Sequence, residues 1–157
     1  MRSLANPGAN VTGLSALLNE LNPKRLSLLK EAIPRLKKVG VLFRMGEQSN
    51  AAALADSLFF QHRQRYAELA LQHRLALAVN ASEMADAGAL LSYGADLKEV
   101  FKRLAPLVDR ILKGANPADI PVEQANVYEF VINLRSARAL GIQPPRTIML
   151  QATRVIE

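Results

Sequence analysis

Apolar residues fall into short runs whose spacing changes along the chain. Leu26, Leu29, Ile33 and Leu36 recur every three or four residues, the period of one helical face. Asn22-Pro23 precedes them as a helix start, with Asn22 as cap and Pro23 at the first helical position. Pro34 predicts the end near Ile33. Val39-Gly40-Val41-Leu42-Phe43 is instead a continuous apolar run bounded by charge, as a strand buried on both faces requires. Val11 to Leu14 and Leu75 to Val79 are similar strand candidates, and residues 44 to 57 show no strong period. A second helix is predicted from about Phe60 to His73, with Tyr66, Leu69 and Ala70 on its apolar side. Ser82 reads as the cap of a brief helix ending at Gly88, after which Leu90-Leu91 leads into a loop at Ser92-Tyr93-Gly94.

The longest pattern follows. Leu97, Val100, Phe101, Leu104, Leu107, Val108, Ile111 and Leu112 form one apolar stripe. Asp96 and Glu99 have the spacing of a capping box, Pro106 predicts a kink, and Gly114 a left-handed stop. Pro121-Val122-Glu123 and Phe130-Val131-Ile132 are extended candidates. Asn133 reads as the cap of a short helix to Leu140-Gly141, and Pro144-Pro145 blocks its continuation. Strands alternate with helices, which predicts an α/β class with a mainly parallel sheet flanked by helices.

Composition narrows the possibilities. A chain of 157 residues, 50% hydrophobic and 22% charged, suffices for one domain with a sizeable core and is too short for two ordinary ones. Cysteine is absent, which excludes disulfides, thiolate metal sites and a cysteine nucleophile. The start, Met1-Arg2-Ser3-Leu4-Ala5-Asn6-Pro7-Gly8, is a turn rather than a signal peptide, so no export address is read there. No apolar run approaches the roughly 18 residues of a membrane span.

Candidate chemistry is sparse. GxGxxG, a phosphate loop, HExxH and GxSxG are all missing. His62 and His73 share a helical face but stand roughly 16 Å apart, too far to share one metal ion. Carboxylates form no acid/base pair, so no catalytic residue, metal or cofactor is expected. The net charge is +6, with Lys24, Arg25, Lys30, Arg35, Lys37 and Lys38 clustered on and after the first helix. Stacking aromatics near basic groups are limited to Phe59, Phe60 and Tyr66, so a solvated basic surface is expected and nucleic acid is not. A basic interaction or nucleic-acid-binding module is the competing class. The triplets at Asn10 and Asn80 match a glycosylation pattern, but turn and cap roles explain them more simply.

Several segments in collinear order resemble a known family. Leu4-Ala5-Asn6-Pro7-Gly8-Ala9-Asn10-Val11-Thr12-Gly13-Leu14 is similar to an "LAxPGGNVTGL" segment. Gly88-Ala89-Leu90-Leu91-Ser92-Tyr93-Gly94 resembles "GGLMSYG". Ile111 to Gly114 with Pro117 to Gln124 resembles "ILKGxxPADLPVEQ", and Phe130 to Leu134 with Ala137 to Gly141 resembles "FELVINLKTAKALGL". The helix at Lys24 to Glu31, the run at Val39 to Phe43 and the block from Phe59 to Leu75 follow suit. Together these resemble the substrate-binding proteins of ABC transporters, tryptophan/tyrosine type.

The resemblance implies a type I periplasmic-binding-protein-like fold: two α/β lobes, a hinge and a solute cleft between the lobes. Against that pattern the chain looks truncated at its N-terminus and shortened between Phe43 and Asp56. It is expected to be a single incomplete α/β unit over residues 1–157, mostly the second lobe with hinge-crossing segments, with 88–115 in the first lobe. Ala76, Pro106 and Thr153-Arg154 depart from the family pattern and suggest relaxed constraint. The implied function is binding of a small solute, possibly an aromatic or branched amino acid, for an ABC permease, impaired by the shortening. Thr12, Gly13 and Ser15 in one loop, with Ser92 and Tyr93 in another, are the candidate ligand-binding residues. Further implications are a periplasmic location and a homodimer through exposed sheet surface.

Overall fold

A computed structural model describes residues 4–5, 7–8, 10–16, 20–41 and 57–157. The described elements run β1 (Leu14–Ser15), α1 (Asn22–Ala32), α2 (Ser57–Gln61), α3 (Arg63–Gln72) and β2 (Ala78–Val79). They continue with α4 (Ser82–Asp86), β3 (Leu91–Ala95), α5 (Leu97–Leu112) and a 3-10 turn at Pro117–Asp119. The last are β4 (Glu123–Gln124), β5 (Tyr128–Asn133), α6 (Leu134–Leu140), α7 (Arg146–Met149) and β6 (Arg154–Ile156). The chain divides into two compact units, Met1–Leu17 with Ala95–Tyr128, and Leu18–Gly94 with Glu129–Glu157.

The larger unit is built on a sheet ordered β2-β3-β5-β6, in which β2 pairs with β3 and β5 with β6 in parallel. Its main core joins Leu28, Leu29 and Ala32 of α1 to Leu90, Leu91, Phe130, Ile132, Ala137 and Ile148. A second cluster joins Phe59 and Met84 to Val79, Ala81 and Ala89. Ala78 packs on the first cluster and Val79 belongs to the second, so successive residues of β2 serve opposite faces. A sheet covered on both faces explains why its strands read as unbroken apolar runs. The expected α/β class with parallel strands flanked by helices is the fold found.

Local chemistry sets the helix ends. Asn133 Oδ1 accepts from Ser136 N at 3.1 Å to start α6, and Gly141 ends it at φ +67°. Asp96 caps α5, accepting from Lys98 N at 2.9 Å and Glu99 N at 3.3 Å. Glu99 does not close the expected capping box: the Asp96 N–H donates to Val127 O at 3.0 Å, and the Glu99 carboxylate pairs with Lys102. Asp96→Ala should therefore cost about 1 kcal/mol, read as a lower urea midpoint with an unchanged slope.

Several expectations need correction. Asn22 is the first residue of α1, not its cap, which is Leu21. The buried face of α1 is Arg25, Leu28, Leu29 and Ala32, whereas Leu26 is 48% exposed. Among the described residues Val39 to Val41 form no strand and are exposed; Leu42-Phe43 and the expected gap up to Asp56 lie outside the described residues. The helix expected from 60 to 73 is two, divided at His62. Helix α5 runs through Pro106 from Leu97 to Leu112. Helix α7 and strand β6 had no anticipated counterpart.

The departures at Thr153 and Arg154 are not signs of slackness. Thr153 Oγ1 accepts from Phe130 N and donates to Phe130 O, at 2.9 and 2.8 Å. Arg154 grips Asp86 with two nitrogens, at 2.7 and 3.1 Å. It also lies 3.4 Å from Glu129, so both residues fasten β6 to its neighbours.

Candidate functional site

Each unit carries one group of the expected residues. In the smaller unit Thr12 and Gly13 lead into β1, and Ser15 lies within it. Strand β1 pairs in parallel with β4. Thr12 Oγ1 donates to Ile120 O at 2.8 Å. Gly13 O accepts from Glu123 N at 3.0 Å, and Ser15 O accepts from Ala125 N at 2.8 Å. These groups therefore anchor the β1–β4 pair. An added Cβ at Gly13 would meet nothing within 4 Å, so the backbone there is approachable.

Beside β1, Leu14, the first turn of α5 and Ala125–Val127 line an open depression whose volume is only about 10 Å³. That is room for about one water molecule, so this depression alone does not house an aromatic amino acid. Arg103 marks its rim and is held by Asn126 Oδ1 and Glu123 Oε2.

In the larger unit Ser92 and Tyr93 lie within β3, not in the loop expected from the sequence. Ser92 is 1% exposed, and its Oγ has no hydrogen-bond partner among the described residues. Tyr93 is half-buried, with its ring edge-on to Phe130 at 6.3 Å between centroids. Its carbonyl accepts from Arg25 Nε at 2.7 Å. Arg25 Nη1 in turn donates to Asn22 Oδ1 at 2.5 Å.

Arg25 was the residue missed. Its place in the basic cluster predicts a solvated surface, as Lys24 and Lys30 have, yet it is 4% exposed. Burial pushes its guanidinium below the ordinary arginine range to about 10, against a smaller opposing effect of Tyr93, so it remains charged at neutral pH. A signal was present in the sequence. Arg25, Leu28, Leu29 and Ala32 stand at i, i+3, i+4 and i+7, which is a buried helical face containing one arginine.

Asn80 follows β2, and its Oδ1 is also buried without a partner among the described residues. The carboxyl ends of parallel β2 and β3 thus bring Asn80 and Tyr93 together, with Arg25 and Asn22 of α1 beside Tyr93. In open α/β sheets ligands bind at that end of the strands. A guanidinium and two carboxamides offer one positive charge and several N–H donors, a set suited to a carboxylate. His62 and His73 stand exposed at the two ends of α3, and among the described residues no group of three His, Asp or Glu is placed to hold a metal ion.

The family description "ABC transporter substrate binding protein" matches residues 56–156. The chain belongs to this family. It is 22% identical to a tyrosine-binding protein of Clostridioides difficile, a match covering 91% of this chain and 53% of that protein. Two solved structures share its fold. One is a conserved domain protein from Vibrio cholerae, at 24% identity and TM-score 0.78, covering 99% of this chain and 66% of that one. The other is an ABC domain from Streptococcus pneumoniae in complex with L-Trp, at 21% identity and TM-score 0.78, covering 99% and 68%. The chain therefore spans about half the length of the curated relative and about two thirds of the solved chains. The family is a substrate-binding one, typically extracellular or periplasmic. No helix among the described residues is long and apolar enough to cross a membrane.

Proposed function

We propose that this chain is a periplasmic solute-binding component of an ABC importer, taking an aromatic or branched amino acid and presenting it to a permease. The observation that carries the reading is the Arg25–Tyr93–Asn80 corner at the strand ends of a substrate-binding family member. The matched relatives, one named for tyrosine and one solved with L-Trp, support an aromatic solute.

In this reading Arg25, Asn22 and Asn80 receive the solute carboxylate, while Tyr93 offers its ring to an apolar side chain. Ser92, next to Tyr93 in β3, is buried and offers its hydroxyl on the opposite face of the strand. In the smaller unit Thr12, Gly13 and Ser15 are proposed as solute-contacting residues in their own right, with the backbone at Gly13 approachable. A solute drives closure only by the contacts it gains in the closed state. No catalysis is proposed.

Thermal-shift titration tests this. L-tryptophan or L-tyrosine should raise the midpoint at millimolar concentration, and their D-enantiomers should not. Arg25→Met should abolish the shift while keeping a cooperative transition. No stereoselective shift, together with salt-dependent retention on DNA, would instead favour the basic-module class.

A further inference from the structure

The aromatic ring of the candidate corner is held from behind. Phe130 of β5 is 4% exposed and shares the main core cluster with Leu28 and Leu29 of α1. Its ring meets that of Tyr93 in a T-shaped contact, with centroids 6.3 Å apart and planes at 71°. Such a pair is attractive because the positive rim of one ring faces the negative face of the other, so it favours one orientation as well as proximity. Tyr93 is also fixed at its backbone, where its carbonyl accepts from Arg25 Nε at 2.7 Å.

Phe130 is itself clamped. Thr153 Oγ1 accepts from Phe130 N at 2.9 Å and donates to Phe130 O at 2.8 Å. Thr153 N donates to the same carbonyl at 2.8 Å. Contacts therefore run from Thr153 through Phe130 to a half-buried ring beside Arg25 and Asn22. The contact of Phe59 with Tyr66 belongs to the second cluster instead.

A tyrosine side chain has two torsions, and a ring free to turn about them adapts to aliphatic and aromatic solutes alike. A ring locked in one orientation offers a flat face. An aromatic side chain stacks on that face with favourable quadrupole electrostatics, whereas a branched or saturated one gains only dispersion from the atoms it touches.

We infer that Phe130 is a positioning residue: by locking Tyr93 it makes the site select aromatic amino acids over branched or saturated ones of similar size. Phe130 is buried and acts through Tyr93, without touching the solute. The inference rests on the solute-binding reading above and narrows its solute class to aromatic side chains.

Isothermal titration calorimetry with L-phenylalanine and β-cyclohexyl-L-alanine tests this, because the two share their backbone groups and side-chain length and differ in the flat aromatic face. The chain should bind L-phenylalanine about fivefold more tightly. Phe130→Leu should bring the two affinities within about twofold by weakening L-phenylalanine alone. Tyr66→Leu, which deletes an aromatic contact of the second cluster, should keep the preference. Thr153→Val removes the hydroxyl clamp and should reduce the preference about twofold, and it carries the test if Phe130→Leu loses its cooperative unfolding. Equal affinities in the unaltered protein would overturn the inference and leave solute binding standing. So would a preference that survives Phe130→Leu, or an equal weakening of both ligands, which is what a purely structural role predicts. Failure to bind either ligand, L-tryptophan or L-tyrosine would overturn the solute-binding reading and this inference with it.

Discussion

Gly94→Ala is expected to be among the most damaging single-methyl substitutions in this protein. A Cβ on Gly94 would lie 1.8 Å from Asn80 O and 2.9 Å from Asn80 C. Both are backbone atoms at the end of β2, so no side chain can swing aside to make room. The β2–β3 pair, held in register by Ala78 with Leu91 and Val79 with Ser92, would have to separate. That pair lies between the two apolar clusters of the larger unit, and Val79 and Leu91 are each 0% exposed. A loss of about 3–5 kcal/mol follows, within reach of the whole stability of a small domain. Urea unfolding should show a much lower midpoint or an aggregated protein. Gly40→Ala is the control, because its added Cβ meets nothing within 4 Å. Equal midpoints for the two variants would refute the clash. The same close approach gives a physical meaning to the glycine that ends the Gly88–Gly94 segment: a side chain there would drive Asn80 out of the candidate site.

Asn133→Leu should have the next largest effect. Asn133 is 3% exposed and works in two directions. Its Nδ2 donates to Ala85 O at 2.8 Å, and its Oδ1 accepts from Ser136 N. Ser136 Oγ continues the chain of bonds to Gly88 O at 2.8 Å. One side chain therefore starts α6 and closes the C-terminal turn of α4. Leucine matches the volume but leaves the helix-end N–H of Ser136 without its partner and takes one of two donors from Ala85 O, which keeps Gly88 N at 3.0 Å. The expected cost is about 2–4 kcal/mol. Arg154→Ala makes the contrast. It deletes contacts to Asp86 and Glu129, but at 41% side-chain exposure solvent screens them, so less than about 1 kcal/mol is expected. Chemical denaturation of both variants ranks them, and a larger loss for Arg154→Ala would refute the assignment.

Much of this architecture was legible in the chain, and the legible parts share a cause. Asp96, Asn133, Gly114 and Gly141 act within a few residues of themselves. Capping and left-handed termination depend on local backbone geometry, so one sequence suffices to place them. The stripe of α5 was equally plain, because periodicity is written in spacing alone. Collinear motifs then carried the family, which residues 56–156 confirm.

The illegible parts depended on contacts between distant segments. Ser92-Tyr93-Gly94 has the composition of a turn, yet pairing with β2 makes it strand. Val39 to Val41 has the composition of a strand, but among the described residues it finds no partner and stays exposed. Strand β6 exists because Val131, Ile132 and Asn133 pair with Arg154, Val155 and Ile156. Arg25 sits on a face whose periodicity was visible, but an arginine there counted as polar until the carbonyl of Tyr93, far along the chain, accounted for its burial.

The sequence by itself determined the alternation of helices and strands, the helix ends and the family, since each follows from neighbours in the chain or from ordered motifs. Tertiary structure alone decided which half of the α5 stripe is covered, why Gly94 must lack a side chain, and where the buried Arg25 points. Those depend on which segments meet in space, and a covered face and an open face of one helix carry the same leucines.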